Sequence, residues 1–278
     1  MRLTFHGTRG SLPSPGEATN RYGGNTSCVM VQNDEDQVLI LDAGSGIRQA
    51  GEAIPPGTKR VDVLLTHLHM DHIQGLGFFA PLYTPGVQVH IWGPPSTTRS
   101  LRKRLTRYLS PPLFPVRIRE VPSLVRCHDV TRDGWDIGAY RLQGHLITHP
   151  GPTLGYRIEC GGRTLAYLPD HEPQLGCPAA LPKADWLSGF SVAEGADLLV
   201  HDAQYTAEEY RTRAGWGHCT AELAVRYAEA VAAKRLLFFH FDPARSDDDL
   251  ERVCSDAAST HKGTIDIAPA AESTSHEV

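Results

Sequence analysis

The segment T-H-L-H-M-D-H-I-Q-G, residues 66–75, carries three histidines and an aspartate within six consecutive positions. It follows V-D-V-L-L (61–65), an apolar run of strand length. His67 and His69 therefore arrive at the C-terminal end of a strand, where ligands collect in α/β proteins. Being two residues apart, they can turn both imidazoles to one side of an extended segment. Asp71 and His72 then begin a helix and face the same space from another direction. Four metal-capable side chains on one loop exceed what a single tetrahedral zinc with an open position uses. The spacing predicts two metal ions side by side, about 3.5–4 Å apart as in two-metal hydrolases. Such a pair needs further ligands from elsewhere, including a carboxylate able to bridge.

The rest of the chain offers them at strand ends. His149 lies in T-H-P-G-P-T, Asp170 follows L-A-Y-L-P, and His240 closes F-F-H. Any one of these alone reads more simply as a partly buried histidine or a loop aspartate. Beside H-x-H-x-D-H the balance reverses in favour of metal.

Length and composition set the frame. The chain has 278 residues, 41% of them hydrophobic, enough for a substantial core. Its formal charge of -5 is spread without a dominant block, which argues against a general nucleic-acid or membrane-surface binder. No apolar run reaches the roughly 20 residues of a membrane span. The N-terminus turns polar too early for a signal peptide. The six cysteines, Cys28, Cys127, Cys160, Cys177, Cys219 and Cys254, are scattered, as expected of reduced thiols in a cytoplasmic protein.

Strands are expected at 2–5, 27–31, 37–41, 61–65, 87–91, near 116–120, at 135–142, 154–160, 164–168, 197–201 and 235–240. Helices are expected at 44–53 and 97–109, after Thr220, and after Ser246, where three aspartates occupy the first turn. The pattern predicts one α/β domain with more than one sheet over 1–268 and a disordered tail over 269–278.

H-L-H-M-D-H resembles the signature of the metallo-β-lactamase-fold hydrolase superfamily. G-T-R-G-S-L-P, R-Y-G-G-N-T-S-C and D-A-G-S-G resemble one branch of it, which holds ribonuclease Z and the cyclic phosphodiesterases. The resemblance implies a four-layer αββα sandwich with the metals at one edge of two sheets. It implies that His67, His69 and His149 hold one divalent ion, zinc or manganese, and that Asp71, His72 and His240 hold the other. Asp170 would bridge the two, and Asp71 would serve catalysis as well as ligation. A homodimer is implied too.

H-D-A-Q-Y-T (201–206) resembles the H-E-A-T segment of ribonuclease Z, with Asp202 in place of glutamate. W-G-H-C-T (216–220) resembles that family's G-H-S-T. Carried over, Asp202 orients His218, which gives a proton to the leaving oxygen. The shorter aspartate shortens the reach by one methylene. The simpler readings are a helix cap for His218 and Thr220 and a turn carboxylate for Asp202. His171 and His145 stay outside the ligand set, and His201 is expected to pack inward. Asn25 and Ser27 are assigned to their turn. The basic run at 99–108 fits a solvated face, a polyanion surface, a lid or a dimer contact equally.

Ribonuclease Z carries a long tRNA-gripping arm between the bridging aspartate and H-E-A-T. Here about thirty residues separate Asp170 from His201. The expected activity is therefore hydrolysis of a small phosphodiester, a cyclic nucleotide first, with a small molecule rather than nucleic acid as the expected partner and no membrane. The alternatives are a thioesterase or lactonase on the same fold, or a ribonuclease Z-like RNA endonuclease.

Overall fold

A computed structural model describes residues 1–131, 133–176, 181 and 183–278. Strands β1 (Arg2–Gly7), β2 (Cys28–Gln32), β3 (Val38–Leu41), β4 (Arg60–Leu64), β5 (Gln88–Gly93) and β6 (Leu124–Asp129) lie side by side in that order in one sheet. Strands β7 (Trp135–Ile137), β8 (Tyr140–Leu146), β9 (Leu154–Cys160), β10 (Arg163–Leu168), β11 (Leu198–Asp202), β12 (Arg235–Phe239) and β13 (Asp266–Pro269) form the second. The last strand, β14 (Ser275–Glu277), returns to the first sheet beside β1.

The layering follows from strand periodicity. In β3, Leu39 and Leu41 face the other sheet, while Val38 and Ile40 face helices. In β12, Leu237 and Phe239 point to the sheet interface and Leu236 and Phe238 to the opposite helix layer. Strands buried on both faces read as continuous apolar runs, which is why V-L-I-L and R-L-L-F-F carry no polar alternation. Burying one such side chain contributes roughly 1.5–3 kcal/mol, so a one-residue slip in register is costly.

Three apolar clusters result: one between the sheets and one under each helix layer. Helices α1 (Ile47–Ala53), α2 (Met70–Ile73) and α3 (Leu101–Tyr108) cover the first sheet. Helices α4 (Phe190–Ala193), α6 (Ala221–Ala230) and α7 (Asp247–Ser259) cover the second, and the short α5 (Ala207–Tyr210) lies between β11 and α6 in the chain. The architecture is the expected four-layer αββα sandwich. Thr220 caps α6 by accepting from Leu223 N at 3.0 Å, and Ser246 caps α7 by accepting from Asp249 N.

Several expected elements differ. The tail is not disordered: Arg2, Leu3 and Thr4 pair with Glu277, His276 and Ser275. The otherwise open edge of β1 recruits it, because an unpaired strand edge favours any extended segment within reach. V-R-I-R-E (116–120) is a turn rather than a strand. Arg117 pairs with Glu120, whose N–H donates to the Arg117 carbonyl, while Ile118 is still buried. The edge strand is instead 124–129. The run 135–142 is the hairpin of β7 and β8, turning at Gly138 with φ 55°. Cys177 lies outside the described residues; Cys28, Cys127, Cys160 and Cys254 are free thiols. No helix among the described residues is long and apolar enough to cross a membrane.

Candidate metal centre

β3 and β4 run parallel, as do β10, β11 and β12. Their C-terminal ends meet along one edge of the sandwich and deliver Asp42, His67, Asp170, Asp202 and His240 to it. The chain leaves β4 extended through His69 and enters α2 with Asp71 and His72 in its single turn. The His67 and His69 rings sit 4.3 Å apart, as do those of His67 and His72. His149 arrives from the turn after β8.

Four overlapping groups of potential ligand atoms form among the described residues, with all ligand atoms in each within 4.8 Å. His67, His69 and His149 make one cluster and Asp71, His72, Asp170 and His240 a second; the other two groups, His149–Asp170–His218 and Asp202–His218–His240, overlap these and bring in His218. Asp170 joins the first two clusters. Its Oδ2 lies 3.8 Å from His67 Nε2 and 3.7 Å from His149 Nε2. Its Oδ1 lies 2.9 Å from His72 Nε2 and 3.3 Å from His240 Nε2. One carboxylate oxygen thus faces each cluster.

The donor set fits cations. His67 Nε2 is buried with no hydrogen-bond partner. Ring nitrogens face one another, His72 Nε2 and His240 Nε2 at 3.3 Å, His149 Nε2 and His69 Nδ1 at 3.2 Å. Buried acceptors aimed at a common point are costly unless a cation takes them. Burial pushes the His67 imidazole well below its usual pKa and His149 down to about 4, leaving both neutral, as ligands must be. Burial alone would raise the Asp170 carboxyl, but His240, His72 and His67 hold it well below the usual range.

A second layer orients the rings. His72 Nδ1 donates to Asp42 Oδ2 at 2.9 Å, His149 Nδ1 to the Gly217 carbonyl at 2.8 Å, and His240 Nδ1 to Gln204 Oε1 at 2.9 Å. With Nδ1 committed, Nε2 is the atom left for the centre. Asp42 also accepts from Thr66 N at 2.7 Å and from Tyr167 OH at 3.1 Å. Asp42 and His240 both have φ 60°, a left-handed conformation costly for side-chain-bearing residues and concentrated at functional sites. The N-terminal loop closes the far side. Ser11 N donates to Asp71 Oδ2 at 2.6 Å, and a Cβ on Gly10 would sit 2.4 Å from the His240 ring.

Asp202 and His218 meet beside the cluster. His218 Nδ1 donates to Asp202 Oδ2 at 2.7 Å and lies 4.0 Å from Asp170 Oδ2. The His218 ring stacks on His240 with centroids 5.0 Å apart. Asp202 Oδ1 accepts from Gln204 N and Cys219 N. Burial opposes the imidazolium, but Asp202 outweighs it and the His218 pKa is raised. Thr220 caps α6, so His218 is not needed for that.

Residues expected outside the ligand set sit as follows. His171 Nδ1 and His201 Nε2 form a fully buried pair at 2.9 Å, packed against Tyr227. Asn25 binds Glu272 and Ser45, so it serves its hairpin. In α3, Leu101 and Leu105 are buried, Arg102 reaches the Val125 carbonyl and Arg104 pairs with Asp129. A cavity of about 520 Å³ separates α3 from Leu68, Met70 and Ile73. The orienting residues Asp42, Gln204 and Glu172 were not singled out from sequence. D-A-G-S-G held the one available signal, an aspartate closing an apolar strand.

Two adjoining groups of potential metal ligands that share a carboxylate, at the edge of an αββα sandwich, fit a metal-dependent hydrolase. The family description "Beta-lactamase superfamily domain" matches residues 37–241, and the chain belongs to that family. A ribonuclease Z of Myxococcus xanthus is 27% identical over 96% of this chain and 95% of its own length. Among solved structures, the metallo-β-lactamase fold protein YhfI of Bacillus subtilis superposes with a TM-score of 0.71 at 20% identity, covering 99% of this chain and 98% of that one. A diphosphatase from the PhnP family superposes at 0.67 with 22% identity, covering 100% and 97%.

Proposed function

We propose that the protein is a two-metal phosphodiesterase acting on a small nucleoside phosphodiester, with a cyclic nucleotide as first choice. His67, His69 and His149 would hold one divalent ion, zinc or manganese, and Asp71, His72 and His240 the other, with Asp170 shared. Bound there, the ions would neutralise the non-bridging phosphate oxygens and activate the attacking water.

The observation that carries the reading is the Asp202–His218 pair at 2.7 Å. Asp202 fixes the imidazole through Nδ1 and favours its charged form. Nε2 then gives a proton to the departing alkoxide. A hydrolase whose leaving group needs no proton, such as a thioesterase, has less use for this pair. Ser11 N and His240 hold Asp71, so its carboxylate cannot swing away from the reacting centre.

The names of the curated relatives favour a second reading, an RNA endonuclease. The short span from Asp170 to His201 supports the small substrate over it. The deciding experiment offers 2′,3′- and 3′,5′-cyclic nucleotides and a precursor tRNA to protein loaded with manganese or zinc, with products separated by chromatography. Chelator-sensitive conversion of a cyclic nucleotide to a linear monophosphate supports the first reading. Cleavage of the RNA alone supports the second, and hydrolysis of neither sinks both.

A further inference from the structure

The loop before His218 carries a tryptophan that the reaction as described does not use. Its sequence is G-W-G-H, residues 215–218, and both glycines adopt φ 84°. The loop is pinned. The buried Glu172 carboxylate accepts from Gly215 N and Gly217 N at 3.0 Å each, and from Tyr210 OH. Trp216 N donates to the Arg213 carbonyl. Gly217 presses on the metal cluster. Its carbonyl accepts from His149 Nδ1, and a Cβ there would sit 2.5 Å from that atom and 2.3 Å from Pro150.

Trp216 is held between these two anchored glycines, yet its own side chain is 59% exposed. Among the described residues the indole makes no hydrogen bond and no ring contact. Leu175, 63% exposed, comes from the loop that also carries Asp170 and Glu172, and it reaches within 3.7 Å of where a Gly215 Cβ would be. A large apolar surface kept in water on a rigid loop has no stabilising role in the fold. A singly exposed aromatic is ordinary on a protein surface; what distinguishes Trp216 is that its backbone is fixed beside the ligand cluster, where an amphipathic indole offers a flat binding face. One residue separates Trp216 from the general-acid position.

We propose that Trp216 is a specificity-determining residue that stacks on the aromatic base of the substrate while the attached phosphodiester lies at the metal centre. This rests on the phosphodiesterase reading above. The ligand class is a nucleotide with an unpaired base, since every base offers a π-face and stacking does not depend on hydrogen-bond pattern. Glu172 acts through the loop as a positioning residue for both Trp216 and His149.

The test compares wild type, Trp216→Ala and Trp216→Phe on a cyclic nucleotide and on the matching cyclic ribose phosphate without a base. A second readout is quenching of tryptophan emission by a linear nucleoside monophosphate, in a Trp186→Phe background to remove another exposed indole. Stacking predicts that Trp216→Ala raises KM for the nucleotide about tenfold or more with kcat little changed. It also predicts that the base-free substrate is unaffected, that the alanine variant loses the quenching, and that phenylalanine restores part of the lost affinity. Equal effects on both substrates, no effect on either, or quenching that survives Trp216→Ala would overturn it. Trp216-dependent quenching without hydrolysis of any phosphodiester would sustain the stacking role and remove the phosphodiesterase reading. Hydrolysis without any dependence on Trp216 would do the reverse.

Discussion

Asp202 Oδ2 accepts from His218 Nδ1 at 2.7 Å, and both side chains are buried at the edge of the candidate metal-ligand cluster. Removing the imidazole should leave the metal ligands in place and remove the proton donor. His218→Ala is expected to keep its metal content, by elemental analysis, while kcat falls about 10²–10⁴-fold. Full turnover in that variant would rule out the general acid.

The same pair sets a pH dependence. The charged carboxylate beside it raises the His218 pKa, so the imidazolium persists above the usual histidine range. If His218 works as the acid, activity is present below that pKa and lost as pH rises through it. Asp202→Asn removes the raising charge, and the alkaline fall should move to lower pH. A profile unmoved by this substitution would separate Asp202 from the proton donor.

Asp42 is not itself in the ligand set but holds the ligand-position His72, and Thr66, by hydrogen bonds. Asp42→Ala should weaken metal affinity or activity about 10–100-fold, as loss of an orienting partner does. His149→Ala, in the ligand set itself, should lose metal and activity together. Isothermal titration of the metal-free proteins with zinc would check both. Equal affinity in Asp42→Ala and wild type, with equal activity, would demote Asp42 to a packing role.

Ser275–Glu277 closes the edge of β1, and Asn25 is tied to Glu272 by two hydrogen bonds. Truncation after Ala270 should therefore lower the thermal midpoint by several degrees, on the scale of about 1–2 kcal/mol for lost strand pairing and one buried contact. An unchanged midpoint would show that the tail contributes nothing to folding.

Much of the site was legible because its chemistry is local. H-x-H-x-D-H states its purpose through spacing alone; Asp170 and His240 were visible as polar residues at the ends of apolar strands, and His149 as a histidine in the turn after another strand. Asp42 and Gln204 were not, because a residue that orients a ligand is marked only by what it touches. The apolar spacing at 116–120 fits a strand or a turn, and only the Arg117–Glu120 closure distinguishes them.

By itself, the sequence determined an α/β domain with more than one sheet, through apolar runs that must be buried, and the crowding of metal-capable side chains at one strand end; the four-layer sandwich was implied only by its resemblance to the metallo-β-lactamase-fold superfamily. The sequence also pointed to the residues that complete the centre. Only the tertiary structure decided that Asp170 turns a separate oxygen to each cluster, that Asp202 reaches His218, and that the C-terminal segment is a strand. Those outcomes depend on where distant strand ends meet. Contacts between residues far apart in the chain are set by packing of the whole core, and no local pattern records them.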